Sequence, residues 1–137
     1  MSATTRSVGI IGAGIAGLCT AKIFKSFGYQ VTVFEKEADV GGVWSASRRY
    51  PGLTTQNPRE TYEYSDFPMP SGYPEWPSGE QVQEYLESYI EHFTLTDDIL
   101  LNTYVVSADW DEEAGHWDVV TEPEQSTERE AFSFDYL

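Results

Sequence analysis

The chain has 137 residues, of which 40% are hydrophobic and 15% aromatic. That is about one domain of sequence with ample core material, and it excludes a disordered chain. Eight Lys and Arg against 23 Asp and Glu give a formal charge of −15, and seven of the eight basic residues lie at or before Arg59. The second half is a polyanion that repels nucleic acid and anionic lipid, so neither is an expected partner.

In chain order, Ser7–Gly12 is a short, continuous apolar run, the pattern of a buried parallel strand. A helix is predicted from Ile15 to about Phe27, with Gly28 placed for a left-handed C-terminal cap. Ala16, Gly17 and Ala21 give this helix a small-residue face suited to close packing on a sheet. The single cysteine, Cys19, falls on it and reads as a small buried hydrophobe; with no second cysteine there is no internal disulfide, which fits a reducing compartment. Gln30–Glu35 alternates and is β-branched, hence a second strand. Residues 7–35 thus form a βαβ unit with the expected right-handed crossover.

Residues 37–79 hold all but one of the seven prolines and are dense in glycine and aromatics. A loop of this length inside a compact domain points to function. Ser78 and Gln81 suit a capping box. Val82, Tyr85, Leu86, Tyr89, Ile90 and Phe93 follow at helical spacing, which predicts a helix over 80–93 whose tyrosines belong to the core. Ile99–Asn102 is a short strand candidate. Tyr104–Trp110, His116–Thr121 and Arg129–Phe134 have the spacing of an antiparallel three-stranded meander. His92 and His116 have no second ligand at metal spacing, so no metal site is expected. The N-terminus MSATTRS has no long apolar region and no run reaches transmembrane length, so a cytoplasmic location is expected.

The stretch VGIIGAGIAGL carries the clearest chemistry. Gly12 permits a sharp turn out of the strand, Gly14 lets backbone approach a pyrophosphate, and Gly17 lets the helix pack closely. The helix start presents free N–H groups and partial positive charge. Glu35 ends the next strand, where a carboxylate accepts hydrogen bonds from both ribose hydroxyls of an adenosine and repels a 2′-phosphate. FAD or NAD is therefore favoured over NADP at this site.

After Glu35 the chain reads KEADVGGVW, which resembles the E…G-G-x-W continuation of the flavin-containing monooxygenase family, Baeyer–Villiger relatives included. The resemblance continues through LTTQNPRETYEYSDFPMPSGYPEWPSGEQVQEYLESYIEHFTL and LLNTYVVSADWDEEAGHWDVVTEPE, and so covers nearly the whole chain. The YSDFPMP form is similar to the flavin-containing branch, whereas Baeyer–Villiger enzymes usually carry an aspartate where this chain reads TTQNP. The resemblance implies an α/β, Rossmann-type FAD-binding domain with a parallel sheet and an antiparallel meander. It implies Gly12, Ala13, Gly14, Ile15, Ala16 and Gly17 at the FAD pyrophosphate and Glu35 at the adenosine ribose. Gly41 and Gly42 would run beside the ribityl or pyrophosphate arm. Val43, Trp44, Gln56 and Asn57 would stand on the flavin side, and the Val105 backbone at the adenine edge. Asn57 would hold the oxygenated flavin, the one catalytic residue implied; Gln56 departs from the usual Thr or Ser. The family reaction has NADPH reduce the flavin, which then traps O₂ and oxygenates a small-molecule substrate.

No second G-x-G-x-x-G occurs, nor the family's F-x-G-x(3)-H fingerprint. The expectation is an incomplete FAD-binding domain, to which NADPH binds only if the missing half is supplied. A fragment, a natural short form and a non-catalytic FAD-binding or interaction module all stay open. With no strand on its far side, Val8–Ile11 is expected to be an unpaired apolar edge. Self-association or a strand-donating partner polypeptide would follow.

Overall fold

The computed structural model describes residues 5–137; the first four residues of the MSATTRS stretch lie outside the described residues. Two sheets share the chain. In the first, β1 (Ser7–Ile11) pairs in parallel with β2 (Gln30–Phe34), which pairs in parallel with β3 (Ile99–Leu100). The second is the expected meander of β4 (Thr103–Asp111), β5 (His116–Pro123) and β6 (Glu130–Phe134). Helices α1 (Ile15–Ser26), α2 (Arg59–Tyr62) and α3 (Gly79–His92), with single 3-10 turns at Gly42–Trp44 and Thr96–Asp98, complete the regular structure. Among the described residues no helix is long and apolar enough to cross a membrane.

Strand alternation explains how the layers meet. Val31 and Val33 of β2, with Val8 and Ile10 of β1, turn to one face and pack with Leu18 and Ala21 of α1 and Val82, Leu86 and Tyr89 of α3. Phe34 turns to the other face and forms a second core with Val119 and Phe134 of the meander. Helix α1 ends where Gly28 takes φ +84°, its N–H bonded to the Lys25 carbonyl. At the start of α3 both halves of the Ser78–Gln81 capping box are made. Cys19 is half-buried, more open than a core hydrophobe.

One expectation is corrected. The far edge of β1 is not left unpaired along its length, because the chain doubles back after β6. The Gly9 N–H donates to the Tyr136 carbonyl (2.9 Å) and the Tyr136 N–H to the Ser7 carbonyl (3.2 Å). The Asp135 carboxylate clamps the turn by accepting from the Ser7 N–H (2.7 Å) and hydroxyl (3.0 Å). A Cβ on Gly9 would stand 2.7 Å from the Phe134 ring, so this glycine, outside the nucleotide motif, makes room for the returning chain. The cover is partial: Ile11 stays 55% exposed. The alternation of a parallel ladder aims the Gly9 carbonyl and Ile11 N–H along that same edge.

Residues 37–79 are held by buried polar staples. Arg49 donates to the Trp44 carbonyl (3.0 Å) and to the Gln83 side chain, and pairs with Glu80 (3.2 Å). Gln83 in turn donates to Asp39 (2.8 Å) and the Val40 carbonyl (2.9 Å). The expected tyrosine stripe is core: Tyr85 is 1% exposed and Tyr89 fully buried, packed with Tyr64 and Phe67. The Tyr64 hydroxyl donates to the Ile15 carbonyl, and the Tyr85 hydroxyl donates to the Phe67 carbonyl at 2.5 Å. The loop is thereby tied to both α1 and α3.

Burial raises the phenol pKa values of this cluster, Tyr85 to about 12 and Tyr64 and Tyr89 further. Free tyrosine titrates near ~10, so the unfolded chain loses these protons first. Stability should hold below pH ~10, then fall as pH rises toward the folded-state values. Urea unfolding followed by circular dichroism from pH 8 to 12 checks this, with Tyr85→Phe expected to flatten the decline. An equally steep loss in that variant would place the alkali-sensitive groups elsewhere.

Candidate functional site

The site begins with what β1 does at its end. Gly12 takes φ +101°, and its N–H still bonds the Phe34 carbonyl (2.7 Å). The chain therefore leaves the sheet sharply without forfeiting the last ladder bond. One turn later Gly17 lies against that corner, and a Cβ there would be 1.9 Å from the Gly12 carbonyl oxygen. No side chain fits, which is the close approach expected of the third glycine. A second glycine pair meets the first: Gly41 (φ +120°) donates its N–H to the Ala13 carbonyl (3.0 Å), and a Cβ on Gly42 would be 3.2 Å from Gly14 Cα.

The start of α1 is uncapped. Gly14, the N-cap, supplies no side chain, and among the described residues the N–H groups of Gly14, Ile15, Ala16 and Gly17 donate to no protein acceptor. Their first protein-bonded neighbour is Leu18, to the Gly14 carbonyl (3.0 Å). Consecutive free donors at a helix start attract an anion.

Glu35 follows β2 and is 6% exposed. Its Oε2 accepts from the Ala13 N–H (2.8 Å) and its Oε1 from the Glu37 N–H (3.0 Å). The carboxylate thus latches the glycine loop to the strand end while each oxygen keeps a lone pair. The Glu35 backbone also receives the meander, with its N–H bonded to the Leu100 carbonyl (2.9 Å) and its carbonyl to the Thr103 N–H (2.9 Å). Beyond Thr103, the β4–β5 register shifts between Val105 and Ser107, a bulge that re-aims the strand beside the site.

Two adjoining cavities result. One, of about 330 Å³, is lined by Gly12, Gly14, Glu35, Gly42 and Val105. The other, of about 370 Å³, takes in Ile15, Ala16, Gly17, Val43 and Trp44. Ala13 lies beneath, fully buried. Trp44 is 8% exposed, its indole N–H donating to the Tyr62 hydroxyl (3.1 Å) with the rings edge to face. Gln56 and Asn57 are exposed and line neither cavity; the Asn57 carbonyl accepts from the Thr55 hydroxyl (2.9 Å). Lys36, Arg48 and Tyr62 line the groove without having been singled out by the sequence. Tyr62 reaches it from α2, a placement no spacing rule announces, and in SRRYPG nothing distinguishes Arg48 from Arg49.

His116 is less isolated than its spacing implied. Asp118 lies 3.0 Å from its Nε2, and Asp111 brings a third ligand-type atom within 4.8 Å. Each is already used by the hairpin: Asp111 accepts from the Glu113 and Ala114 N–H groups (2.9 Å each), and Asp118 from the Ser133 hydroxyl (3.0 Å).

The model of the flavin-binding monooxygenase-like proteins matches residues 5–135. The chain belongs to that family. It is 37% identical to mouse dimethylaniline monooxygenase [N-oxide-forming] 4 and 33% to human flavin-containing monooxygenase 1, covering 93% of this chain in each case. Those alignments take in 25% and 26% of the relatives, so the chain spans about a quarter of their length. The S-allyl-L-cysteine S-oxygenase of Allium sativum superposes at a TM-score of 0.85 with 29% identity, over 98% of this chain and 36% of that one. A steroid monooxygenase bound to NADP superposes at 0.79 with 36% identity, over 87% of this chain and 23% of that one. Membership in the flavin-binding monooxygenase-like family implies a flavin.

Glu35→Ala should destabilise the protein even without flavin, because two N–H groups lose a charged acceptor worth about 1.5 kcal/mol or more each. Urea unfolding should report a loss of about 3 kcal/mol. A loss below about 1 kcal/mol would mean that the Glu35 latch contributes little to the fold.

Proposed function

We propose that this chain binds FAD along the groove, as the N-terminal FAD-binding part of an NADPH-dependent monooxygenase. The observation that carries the reading is the run of four N–H groups, Gly14–Gly17, that have no acceptor among the described residues, beside glycine backbone bare enough for a phosphate to approach. In this reading Gly12 to Ala16 bind the pyrophosphate. The free lone pairs of Glu35 accept from the adenosine ribose, and the Val105 backbone meets the adenine edge. Gly42, Val43 and Trp44 hold the flavin side. Tyr62, bonded to the Trp44 indole, fixes the tryptophan's orientation. Gln56 and Asn57 act at the reactive end; the Asn57 amide has no protein partner among the described residues and offers donors and an acceptor without charge.

FAD, once reduced by NADPH, supplies the oxygen-activating chemistry; the protein binds, orients and shields it. NADPH binding is assigned to sequence outside this chain, which has one glycine-rich nucleotide loop. Relatives named for N-oxide formation and S-oxygenation favour a small organic substrate with a soft nitrogen or sulfur centre.

Purified protein should be yellow and bind FAD stoichiometrically in a fluorescence titration, while NADPH leaves the colour unbleached unless the remainder of the enzyme is present. In that complete enzyme, Asn57→Ala should keep FAD but form less product per NADPH consumed. Rapid bleaching of the 137-residue chain alone would overturn the division of labour. FAD retention without any oxygenation by the complete protein would favour a non-catalytic flavin-binding subunit.

Two positions on β1 without a partner among the described residues, the Gly9 carbonyl and Ile11 N–H, form the second part of the proposal. They accept a further parallel strand from another polypeptide, a second copy included, by β-augmentation. Sedimentation equilibrium over a wide concentration range should show association. A well-folded, FAD-bound monomer at every concentration would mean that Tyr136 and Leu137 cover the edge sufficiently.

A further inference from the structure

A chain of charge −15 must bind a pyrophosphate against its own field. Helix N–H groups contribute only partial charge, so the location of full positive charges matters. Most cations of the described residues are committed. Lys22 pairs with Asp66, Lys25 with Asp98, Arg49 with Glu80, Arg59 with Glu60 and Arg129 with Glu122. Arg6 donates to the Tyr136 hydroxyl and lies over its ring. Two cations, Lys36 and Arg48, have neither a carboxylate nor a side-chain hydrogen-bond partner among the described residues, and both line the groove.

The two are not equivalent. Lys36 lies at the adenosine end and also borders a third cavity lined by Glu37, Glu122 and Glu124. Arg48 borders both halves of the groove. The residues common to the two cavities are Ile11, Gly12, Gly14, Gly42 and Arg48, of which only Arg48 is charged. The position shared by the cavities is also where the two glycine pairs meet and the free N–H run begins.

Local structure separates Arg48 from its neighbour. The N–H groups of both Arg48 and Arg49 bond the Ser45 carbonyl (3.0 Å each), closing a turn after Trp44. That turn sends Arg49 inward to Trp44, Gln83 and Glu80 and leaves Arg48 exposed at the groove. One arginine side chain of the pair anchors the loop; the other has no partner among the described residues.

We infer that Arg48 is the pyrophosphate-binding cation of the site, closing on the FAD phosphates from the wall opposite the α1 N-terminus. The inference rests on the FAD reading above and adds a residue to it. A guanidinium suits the task because its planar fork donates to two phosphate oxygens at once and it stays charged at any physiological pH. Because Arg48 has no carboxylate partner among the described residues, binding breaks no ion pair there.

The test is equilibrium binding, read by flavin fluorescence for FAD and by competition against FAD for ADP and adenosine. Arg48→Ala should bind FAD and ADP about tenfold more weakly, the loss of one charge-assisted contact at a partly open site. Adenosine, which has no phosphate, should compete as it does against the unaltered protein. Raising NaCl should weaken FAD binding less in Arg48→Ala than in the unaltered protein. Arg48→Lys should recover part of the loss, and Lys36→Ala should not reproduce the selective loss of ADP. The thermal midpoint without ligand should stay constant, since the side chain has no protein partner. Unchanged ADP and FAD affinity in Arg48→Ala, or an equal loss for adenosine, overturns the inference and leaves the FAD reading standing. An unaltered protein that binds no FAD overturns both.

Discussion

The site depends on a single carboxylate buried between three segments. Glu35 accepts from Ala13 in the glycine loop and from Glu37 just beyond the strand, and its backbone is bonded to Leu100 and Thr103. It thus joins the loop after β1, the end of β2 and the start of the meander at one point. An apolar residue there would leave the Ala13 N–H without its side-chain acceptor, at a cost of about 1–3 kcal/mol. The glycines act around this point. The hypothetical Cβ at Gly17, 1.9 Å from the Gly12 oxygen, measures how little room the corner has. Once loop and strand end are locked together, the α1 N–H groups and the Glu35 carboxylate have a set separation, as the proposed dinucleotide site requires.

The long segment over 37–79 is the other wall. It has little regular structure of its own, and its order comes from buried polar side chains and aromatic packing. Arg49 and Gln83 hold its first part to α3, while Tyr64, Tyr85, Tyr89 and Phe67 hold its middle to α1 and α3. These contacts fix Trp44 and Tyr62 at the groove although neither lies in a helix longer than about one turn. They also account for the charge distribution. Among the described residues Lys22, Lys25, Arg49, Arg59 and Arg129 are paired with carboxylates and Lys36 and Arg48 at the groove are not, so the negative field of the chain is locally relieved at the groove.

The sequence by itself determined the βαβ start, the glycine corner, the capped α3 and the meander. Each of these is local: a hydrophobic period, a turn glycine, or a side chain bonding three residues away, as Ser78 and Gln81 do. The tertiary structure decided what depends on residues far apart meeting. Glu35 reads as a ribose ligand in the sequence, yet its bonds to Ala13 and Glu37 make it a structural latch as well. The edge of β1 reads as open, yet Tyr136, more than a hundred residues on, pairs with it through Gly9. His116 reads as solitary, yet strand pairing sets Asp111 beside it, next to Asp118 two residues along its own strand. The doublet Arg48–Arg49 is two identical letters, and only the turn at Ser45 sends one to the core and the other to the groove. Local pattern is written in neighbouring residues because backbone geometry repeats over a few positions. Partnership between distant side chains is set by packing, and no periodicity encodes it.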